Sequence, residues 1–108
     1  MLFNTTFLSS YEIFIMTNRN RTEIISQILQ VTSDFDKGNG VTRTAIMYRV
    51  FLNTTQIKEY LPILTTYGLL SYDAVIRRFR ITGKGLQFLK IYDNLGIMTN
   101  EEKEYIFH

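Results

Sequence analysis

Apolar residues near the middle of the chain recur at the spacing of one helical face. Four of them follow the i, i+3, i+4, i+7 pattern of a buried stripe: Ile57, Tyr60, Leu61 and Leu64. Asn53 precedes the stripe at an N-cap position, and Gln56 stands where its side chain completes a capping box. The pattern therefore predicts a helix that begins after Asn53 and turns one side towards a core.

A shorter helix is predicted immediately before this one. Thr42 is suited to cap it, and we expect it to end near Val50. Only Phe51 and Leu52 then separate it from the next cap, so the chain must turn sharply, and we expect both apolar residues to be buried at the corner. Two short helices joined in this way form a helix-turn-helix, whose second helix characteristically enters the major groove of DNA.

An amphipathic helix is also predicted upstream of this unit. Asn20 and Glu23 have the spacing of a capping box. The apolar side chains that follow share one face: Ile24, Ile25, Ile28, Leu29 and Val31. We expect the helix to end before residues 33–40, where Asp, Gly and Asn residues favour turns. Arg19 and Arg21 lie at its start, where either could reach a phosphate, but we expect their side chains to be solvated.

Two short extended runs follow the helix-turn-helix, at residues 69–72 and 78–82. A turn at residues 73–77 would join them into a two-stranded hairpin, the wing of a winged helix-turn-helix. Val75 and Ile76 are unusual residues for a turn, so a longer hairpin with an earlier bend is an alternative.

The second run alternates apolar and basic side chains. Phe79 and Ile81 fall on one face of the hairpin, with Arg78 and Arg80 on the other. These arginines could lie along a DNA backbone or reach the minor groove, or they could simply keep an exposed strand soluble. We expect DNA contact, because basic residues also lie on the adjoining predicted helices.

The last long helix is apolar around too much of its circumference for a small domain to bury. Thr82 caps it, and Gly96 ends it. One face can pack on the domain core, and we expect the other to form a dimer interface with these residues: Phe88, Ile91, Tyr92 and Leu95. Alternatively, the N-terminal segment or the C-terminal tail covers it. A short acidic helix is predicted to follow from Thr99.

The first residues of the chain fit none of these patterns. Residues 1–16 are too short to cross a membrane, Glu12 interrupts their apolar run, and no signal-peptide pattern is present. A strand, a segment that packs on a partner and a translation start at Met16 all stay open. The predicted division of the chain is an N-terminal extension at residues 1–18, a winged helix-turn-helix domain at residues 19–82 and C-terminal dimerisation helices at residues 83–108.

Basic residues are concentrated in the middle of the chain, although the net charge is only +2. Residues 17–90 contain eleven Lys and Arg against five Asp and Glu, whereas residues 91–108 have an acidic excess. A positive module of this kind favours an anionic partner. The single histidine is His108, cysteine is absent, and no catalytic, phosphate-loop or metal-ligand spacing occurs. We therefore expect no enzymatic activity, metal, cofactor or small-molecule ligand.

The surface predicted to contact DNA combines the outward side of the second helix of the helix-turn-helix with basic residues around it. Its candidate residues are Arg43, Thr44, Arg49, Asn53, Thr54, Thr55, Gln56, Lys58, Arg77, Arg78 and Arg80. Base contacts should come from the first two turns of that helix, because Glu59 would repel phosphate and Pro62 disturbs the helix further on. A solvated helix surface is the alternative.

Four stretches of the chain, TRTAIMYRVFL, QIKEYL, YGLLSYD and TGKGLQFLKIY, resemble a family of small archaeal winged-helix proteins classed as transcriptional regulators or DNA-binding proteins. The likeness covers about residues 20–92. It implies a three-helix core with a wing and a further helix, which forms a long antiparallel coiled coil in the chromatin-associated relatives. No heptads follow Gly96 here, which favours a compact helix-pair dimer. The resemblance also implies a recognition helix bearing Thr54, Thr55, Gln56 and Lys58, and a wing bearing Arg77, Arg78 and Arg80.

The predicted fold is mainly α with a small β-hairpin, a winged helix-turn-helix of three core helices plus a wing, followed by a C-terminal dimerisation helix. The predicted function is double-stranded DNA binding, sequence-specific or chromatin-type, by a homodimeric transcriptional regulator. We expect it in the cytoplasm at the nucleoid, without membrane contact. The alternative is a winged-helix module that binds proteins and not DNA.

Overall fold

The computed structural model describes residues 19–95. Within this range the chain forms helices α1 (Arg21–Phe35), α2 (Arg43–Val50) and α3 (Thr54–Thr66), strands β1 (Leu70–Asp73) and β2 (Arg78–Ile81), and helix α4 (Gly83–Asn94). This order confirms the predicted three-helix core, hairpin and following helix. The predicted end of α1 before residue 33 is wrong, because the backbone leaves the helical conformation only at Asp36. The predictions for residues 1–18, for Gly96 and for the acidic helix from Thr99 lie outside the described residues.

The helices begin where capping chemistry predicts. The observed N-caps are Asn20, Thr42, Asn53 and Thr82. In each case the side-chain oxygen of the cap accepts a hydrogen bond from the backbone N–H three residues later, which satisfies a donor that has no partner inside the helix. Local sequence therefore sets where every described helix starts.

The hydrophobic core lies between α1, the helix-turn-helix and the hairpin. The predicted stripe of α3 is buried throughout, and α1 contributes Ile28 and Leu29, which are fully buried. Phe79 enters from β2, and Leu89 closes the core from α4. A single core shared by all the elements fixes the position of the hairpin relative to α3.

The turn of the helix-turn-helix buries one of its two apolar residues. Leu52 is 6% exposed, but Phe51 is 41% exposed, so the prediction that both would be buried is wrong for Phe51. Phe51 has a φ of 60°, in the left-handed region, and the N–H of Leu52 donates to the carbonyl of Met47 at 3.1 Å. The abrupt reversal places the Phe51 side chain on the outside of the turn.

The hairpin is antiparallel, and Tyr72 pairs with Phe79 in its register. Each strand starts and ends within one residue of its predicted bounds, and the turn between them spans residues 74–77. The alternative of a longer hairpin is wrong, because no ladder continues beyond the pairing of Asp73 with Arg78.

A third extended residue, Val41, adds to the hairpin on the side of β2. Val41 and Phe79 exchange two backbone hydrogen bonds of 2.8 Å each. The chain before Val41 consequently runs beside β2, and at Gly40, with a φ of +85°, a Cβ atom would lie 2.9 Å from the carbonyl oxygen of Phe79. Glycine is required there both by the backbone conformation and by this close approach.

Helix α4 packs against α1 along one face. Gly85 and Leu89 are buried, and Phe88 packs partly against the core. Leu86 and Ile91 remain 49% and 46% exposed. None of the helices within residues 19–95 is both long and apolar enough to span a bilayer.

Candidate functional site

A groove runs between α3 and the hairpin. One part of it, about 380 Å³, has a mainly apolar floor and two basic residues, Arg43 and Lys58. An adjoining depression shares Arg43 and Tyr72 and adds Thr44 and Arg77. We call the two together the α3–hairpin groove. None of the residues lining this groove is acidic. Its floor is mainly apolar, and the charged side chains that line it are all basic.

The outward side of α3 borders this groove. As predicted, the side chains that point away from the core are exposed: Thr55, Lys58, Glu59, Pro62 and Thr66. Glu59, the acidic residue of this set, points to the flank of α3 away from the groove. Its Oε2 accepts a hydrogen bond there from Arg21 at 3.2 Å. Its charge is thus partly balanced, which lessens the predicted repulsion of phosphate.

Two residues predicted to contact bases, Asn53 and Gln56, also cap the start of α3. Oδ1 of Asn53 accepts from the Gln56 N–H at 2.8 Å, and Oε1 of Gln56 accepts from the Asn53 N–H at 2.9 Å. The Thr54 hydroxyl contacts the sulfur of Met47 at 3.9 Å. Thr55 lies exposed in the same turn. Capping therefore engages the oxygen acceptors of Asn53 and Gln56, and their amide groups are left as donors.

The three arginines of the hairpin do not act as one group. Arg77 lines the α3–hairpin groove. Arg78 instead donates to the carbonyl of Gly40 at 3.3 Å, and Nε of Arg80 donates to Oδ2 of Asp36 at 2.8 Å. Arg78 and Arg80 share the face opposite Phe79, as the alternation predicted, and that face is occupied by the loop after α1.

Asp36 organises this loop. Its Oδ1 accepts from the backbone N–H groups of Gly38 at 2.8 Å and Gly40 at 2.9 Å. These bonds, followed by the bond from Arg80, hold the pKa of the Asp36 carboxyl below its usual value. The positive charge of Arg80 is therefore partly neutralised within the protein.

Arg49 lies outside the α3–hairpin groove. Its guanidinium stands 3.7 Å from the ring centroid of Phe35, and the pair lines a separate depression between α1 and α2. The exposed aromatic side chains of Tyr48 and Phe51 also border that depression. The structure thus separates Arg49 from Arg43, although both belong to the same short helix.

Arg19 has a structural role that its sequence position did not indicate. Its guanidinium donates to the carbonyl of Val50 at 2.6 Å and to the side-chain oxygen of Gln27. Burial lowers the pKa of Arg19 from its ordinary value. The expectation of a solvated Arg19 is wrong: it supplies a donor to a carbonyl at the end of α2. Arg21 is exposed and lies 5.2 Å from the ring centroid of Tyr60.

Tyr72 belongs to the site but was absent from the predicted set. It is 48% exposed, its ring centroid lies 4.6 Å from that of Phe79, and it lines both parts of the groove. Its place opposite Phe79 depends on the hairpin register. Alternation in β1 could have placed it on one of two faces, but it could not show which face meets α3.

The predicted dimer residues lie on two sides of α4. Phe88 and Tyr92 stack with ring centroids 6.4 Å apart and are half-buried on the side of the core, whereas Ile91 is exposed. Leu95 follows the end of the helix and is half-buried. They do not form the single outward face that the periodicity suggested.

Comparison with known families agrees with this architecture. A family model described as winged helix-turn-helix matches residues 18–100. No curated protein matches the chain. Within residues 19–95, no group of three His, Cys, Asp or Glu side chains is placed to hold a metal ion. On the match across most of its length and on its helix-turn-helix followed by a hairpin, the chain belongs to the winged helix-turn-helix family.

Proposed function

We propose that the protein binds duplex DNA through the α3–hairpin groove and the exposed start of α3. The observation that carries this proposal is the convergence of Arg43, Lys58 and Arg77 around one groove whose lining contains no acidic residue. In this arrangement α3 enters the major groove, and the three cations bind phosphates on either side of it.

The chemistry of the helix start supports this placement. The first turn of α3 presents Thr54 and Thr55 on its exposed side, and the positive end of the helix dipole favours phosphate. Small hydroxyl side chains can donate to or accept from base edges. Thr55 is therefore proposed as the main base reader, with Asn53 and Gln56 contributing through their amide donors.

Arg78, Arg80 and Arg49 are assigned smaller contributions. Arg80 forms an ion pair with Asp36. The guanidinium of Arg49 lies over the ring of Phe35 on another side of the protein. Arg78 can reach a phosphate only along the outer face of the hairpin. Arg43, Lys58 and Arg77 are therefore the principal phosphate contacts among the predicted residues.

We further propose that the protein acts as a homodimeric transcriptional regulator at the nucleoid, in the cytoplasm. The support for a dimer is the apolar side chain of Ile91 on α4, which is 46% exposed. Phe88, Tyr92 and Leu95 would border such an interface while keeping their contacts with the rest of the protein. Light scattering of the wild type and of Ile91→Asp tests this part, since the charged variant should be monomeric.

The DNA proposal is tested by fluorescence anisotropy with a labelled random-sequence duplex over a range of salt concentrations. We expect wild-type affinity to fall steeply with salt, and Lys58→Ala to weaken binding and flatten that dependence. Lys90→Ala removes the same charge from the exposed side of α4 and serves as the control. Equal effects of the two substitutions would show that the groove is not the binding site.

The second candidate function is protein binding through the depression between α1 and α2. Phe35, Tyr48 and Phe51 are 40%, 71% and 41% exposed there, an unusual grouping of aromatic surface. If this is the working surface, the wild type will show no duplex binding even at low salt.

A further inference from the structure

The tip of the hairpin carries apolar side chains into solvent. Val75 is 90% exposed, the highest value among the exposed large hydrophobic residues within the described part of the chain, and Ile76 next to it is 47% exposed. Turns usually contain Gly, Asn, Asp, Pro or Ser, which suit both the backbone geometry and the contact with water. Neither the backbone geometry of a turn nor its contact with water explains valine and isoleucine at this tip.

The backbone holds this tip in a defined conformation. Oδ1 of Asp73 accepts from the N–H of Val75 at 2.9 Å and from the N–H of Ile76 at 3.4 Å. Arg77 follows with a φ of 56°, and the strand pair closes at Asp73 and Arg78. The side chain of Val75 is therefore displayed by a structured turn and does not fold back onto the core.

The tip also continues the surface proposed to bind DNA. Arg77, two residues after Val75, lines the α3–hairpin groove together with Arg43. A duplex whose major groove receives α3 would bring its phosphates to Arg77 and its adjacent minor groove towards the tip. Minor-groove proteins separate neighbouring base pairs with an inserted apolar side chain and use basic residues beside it, and Arg77 stands on one side of this tip.

Resting on the proposed DNA binding, we propose that Val75, assisted by Ile76, enters the minor groove as an apolar wedge and kinks the duplex. Arg77 would hold the phosphates beside it. Pyrimidine–purine steps such as TA unstack most easily, so the wedge would favour them without any hydrogen bond to a base. DNA shape at the hairpin would then add to the sequence selectivity of α3.

Circularisation of short DNA fragments by ligase measures such bending without knowledge of a preferred site. Fragments shorter than the DNA persistence length of about 150 bp circularise poorly unless a bound protein bends them. We expect the wild type to increase circle formation at least severalfold at saturating protein. Val75→Ser, at concentrations that give equal occupancy, should remove most of that increase.

Leu86→Ser is the matched control, because Leu86 is also an exposed apolar residue but lies on α4, away from the tip and on a different side of that helix from the proposed dimer surface at Ile91. It should bend DNA like the wild type. A second readout places 2-aminopurine at a TA step, where unstacking raises its fluorescence; the wild type should give the increase and Val75→Ser should not. Both variants should melt like the wild type, since neither side chain is part of the core.

The outcomes separate the two proposals. Duplex bound by the wild type but not bent, or bent equally by Val75→Ser, would overturn the wedge and leave DNA binding intact. Val75→Ser that bends DNA normally but self-associates less would assign the tip to contact between copies and also overturn it. Absence of duplex binding by the wild type would instead overturn the proposed function, and the wedge with it.

Discussion

The carboxylate of Asp36 accepts a hydrogen bond from Nε of Arg80 at 2.8 Å, which joins the loop after α1 to the second strand of the hairpin. The carboxylate side chain is only 10% exposed, whereas the arginine side chain is 55% exposed. The same carboxylate accepts hydrogen bonds from the backbone N–H groups of Gly38 and Gly40. One side chain thus positions both the loop and an arginine of the hairpin.

Asp36→Asn should lower the melting temperature at pH 7 by a few degrees, because the amide cannot replace the charge that Arg80 and the two N–H groups bind. The pKa of Asp36 is lower in the folded protein than in the unfolded chain. Its stabilisation is therefore complete above the unfolded pKa and is lost as pH falls through the folded pKa.

Thermal melts of Asp36→Asn and the wild type at a series of pH values check this expectation. The difference between them should shrink as pH falls below the usual range of an aspartate. Asp34→Asn is the control, since its carboxylate only accepts from Gln30 on the exposed side of α1. A difference that stays constant down to the lowest pH would contradict the assigned role of the charge.

Substitution of the groove cations should affect DNA binding more than substitution of Arg80. Arg43→Ala, Lys58→Ala and Arg77→Ala should each weaken binding severalfold and reduce the slope of log affinity against log salt by about one. Arg80→Ala should change both quantities less, because Asp36 already balances its charge. Anisotropy titrations at several salt concentrations measure both. A larger loss for Arg80→Ala than for Lys58→Ala would relocate the contact surface to the other face of the hairpin.

Thr55→Ala should alter the DNA sequences selected from a random pool while leaving the melting temperature unchanged. Gln56→Ala, one residue later, should also cost about 0.5–1.5 kcal/mol of stability, because the Asn53 N–H loses its acceptor. Selection of bound sequences, together with thermal melts, distinguishes the two effects. Unchanged selection by both variants would argue against base reading at the start of α3.

Two glycines at the start of α4 should respond to alanine in opposite directions. A Cβ at Gly85 would lie 2.3 Å from the carbonyl oxygen of Leu69 and 2.7 Å from Cγ1 of Ile81, so Gly85→Ala should cost about 1–3 kcal/mol or more. Gly83 has no atom within 4 Å of such a Cβ, and Gly83→Ala should be neutral or add about 0.4–1 kcal/mol. Urea unfolding measures both. Similar effects of the two substitutions would refute the close approach of α4 to the hairpin.

Arg19→Ala should destabilise the protein by about 1–3 kcal/mol, since it leaves the carbonyl of Val50 without its donor. Arg21→Ala is the comparison: its ion pair with Glu59 is exposed, and its removal should cost less than about 1 kcal/mol. The free energies of unfolding in urea decide between them. Equal losses would mean that Arg19 does not anchor the end of α2.

The helices and most of the core followed from short-range features of the sequence. N-caps such as Asn53 act within three residues, and an apolar stripe such as that of α3 repeats with the helical period, so both can be recognised before the fold is known. The hairpin and the basic face of β2 were recognisable for the same reason. The prediction of a buried Phe51 is wrong because its exposure depends on a left-handed turn between two helices.

The membership of the candidate site depended on contacts distant in sequence. In the sequence, Arg78 and Arg80 look equivalent to Arg77. In the structure the loop at residues 36–40 lies beside β2, where the carbonyl of Gly40 accepts a hydrogen bond from Arg78 and the carboxylate of Asp36 accepts one from Arg80. Tyr72 joined the site through the register of the hairpin.

The amino-acid sequence by itself thus determined the order and starts of the helices, the buried stripes and the excess of positive charge, because each arises from neighbours along the chain. Only the tertiary structure decided which cations share a groove and which are neutralised. That outcome depends on side chains up to 44 positions apart, as for Asp36 and Arg80, and no local pattern carries such information.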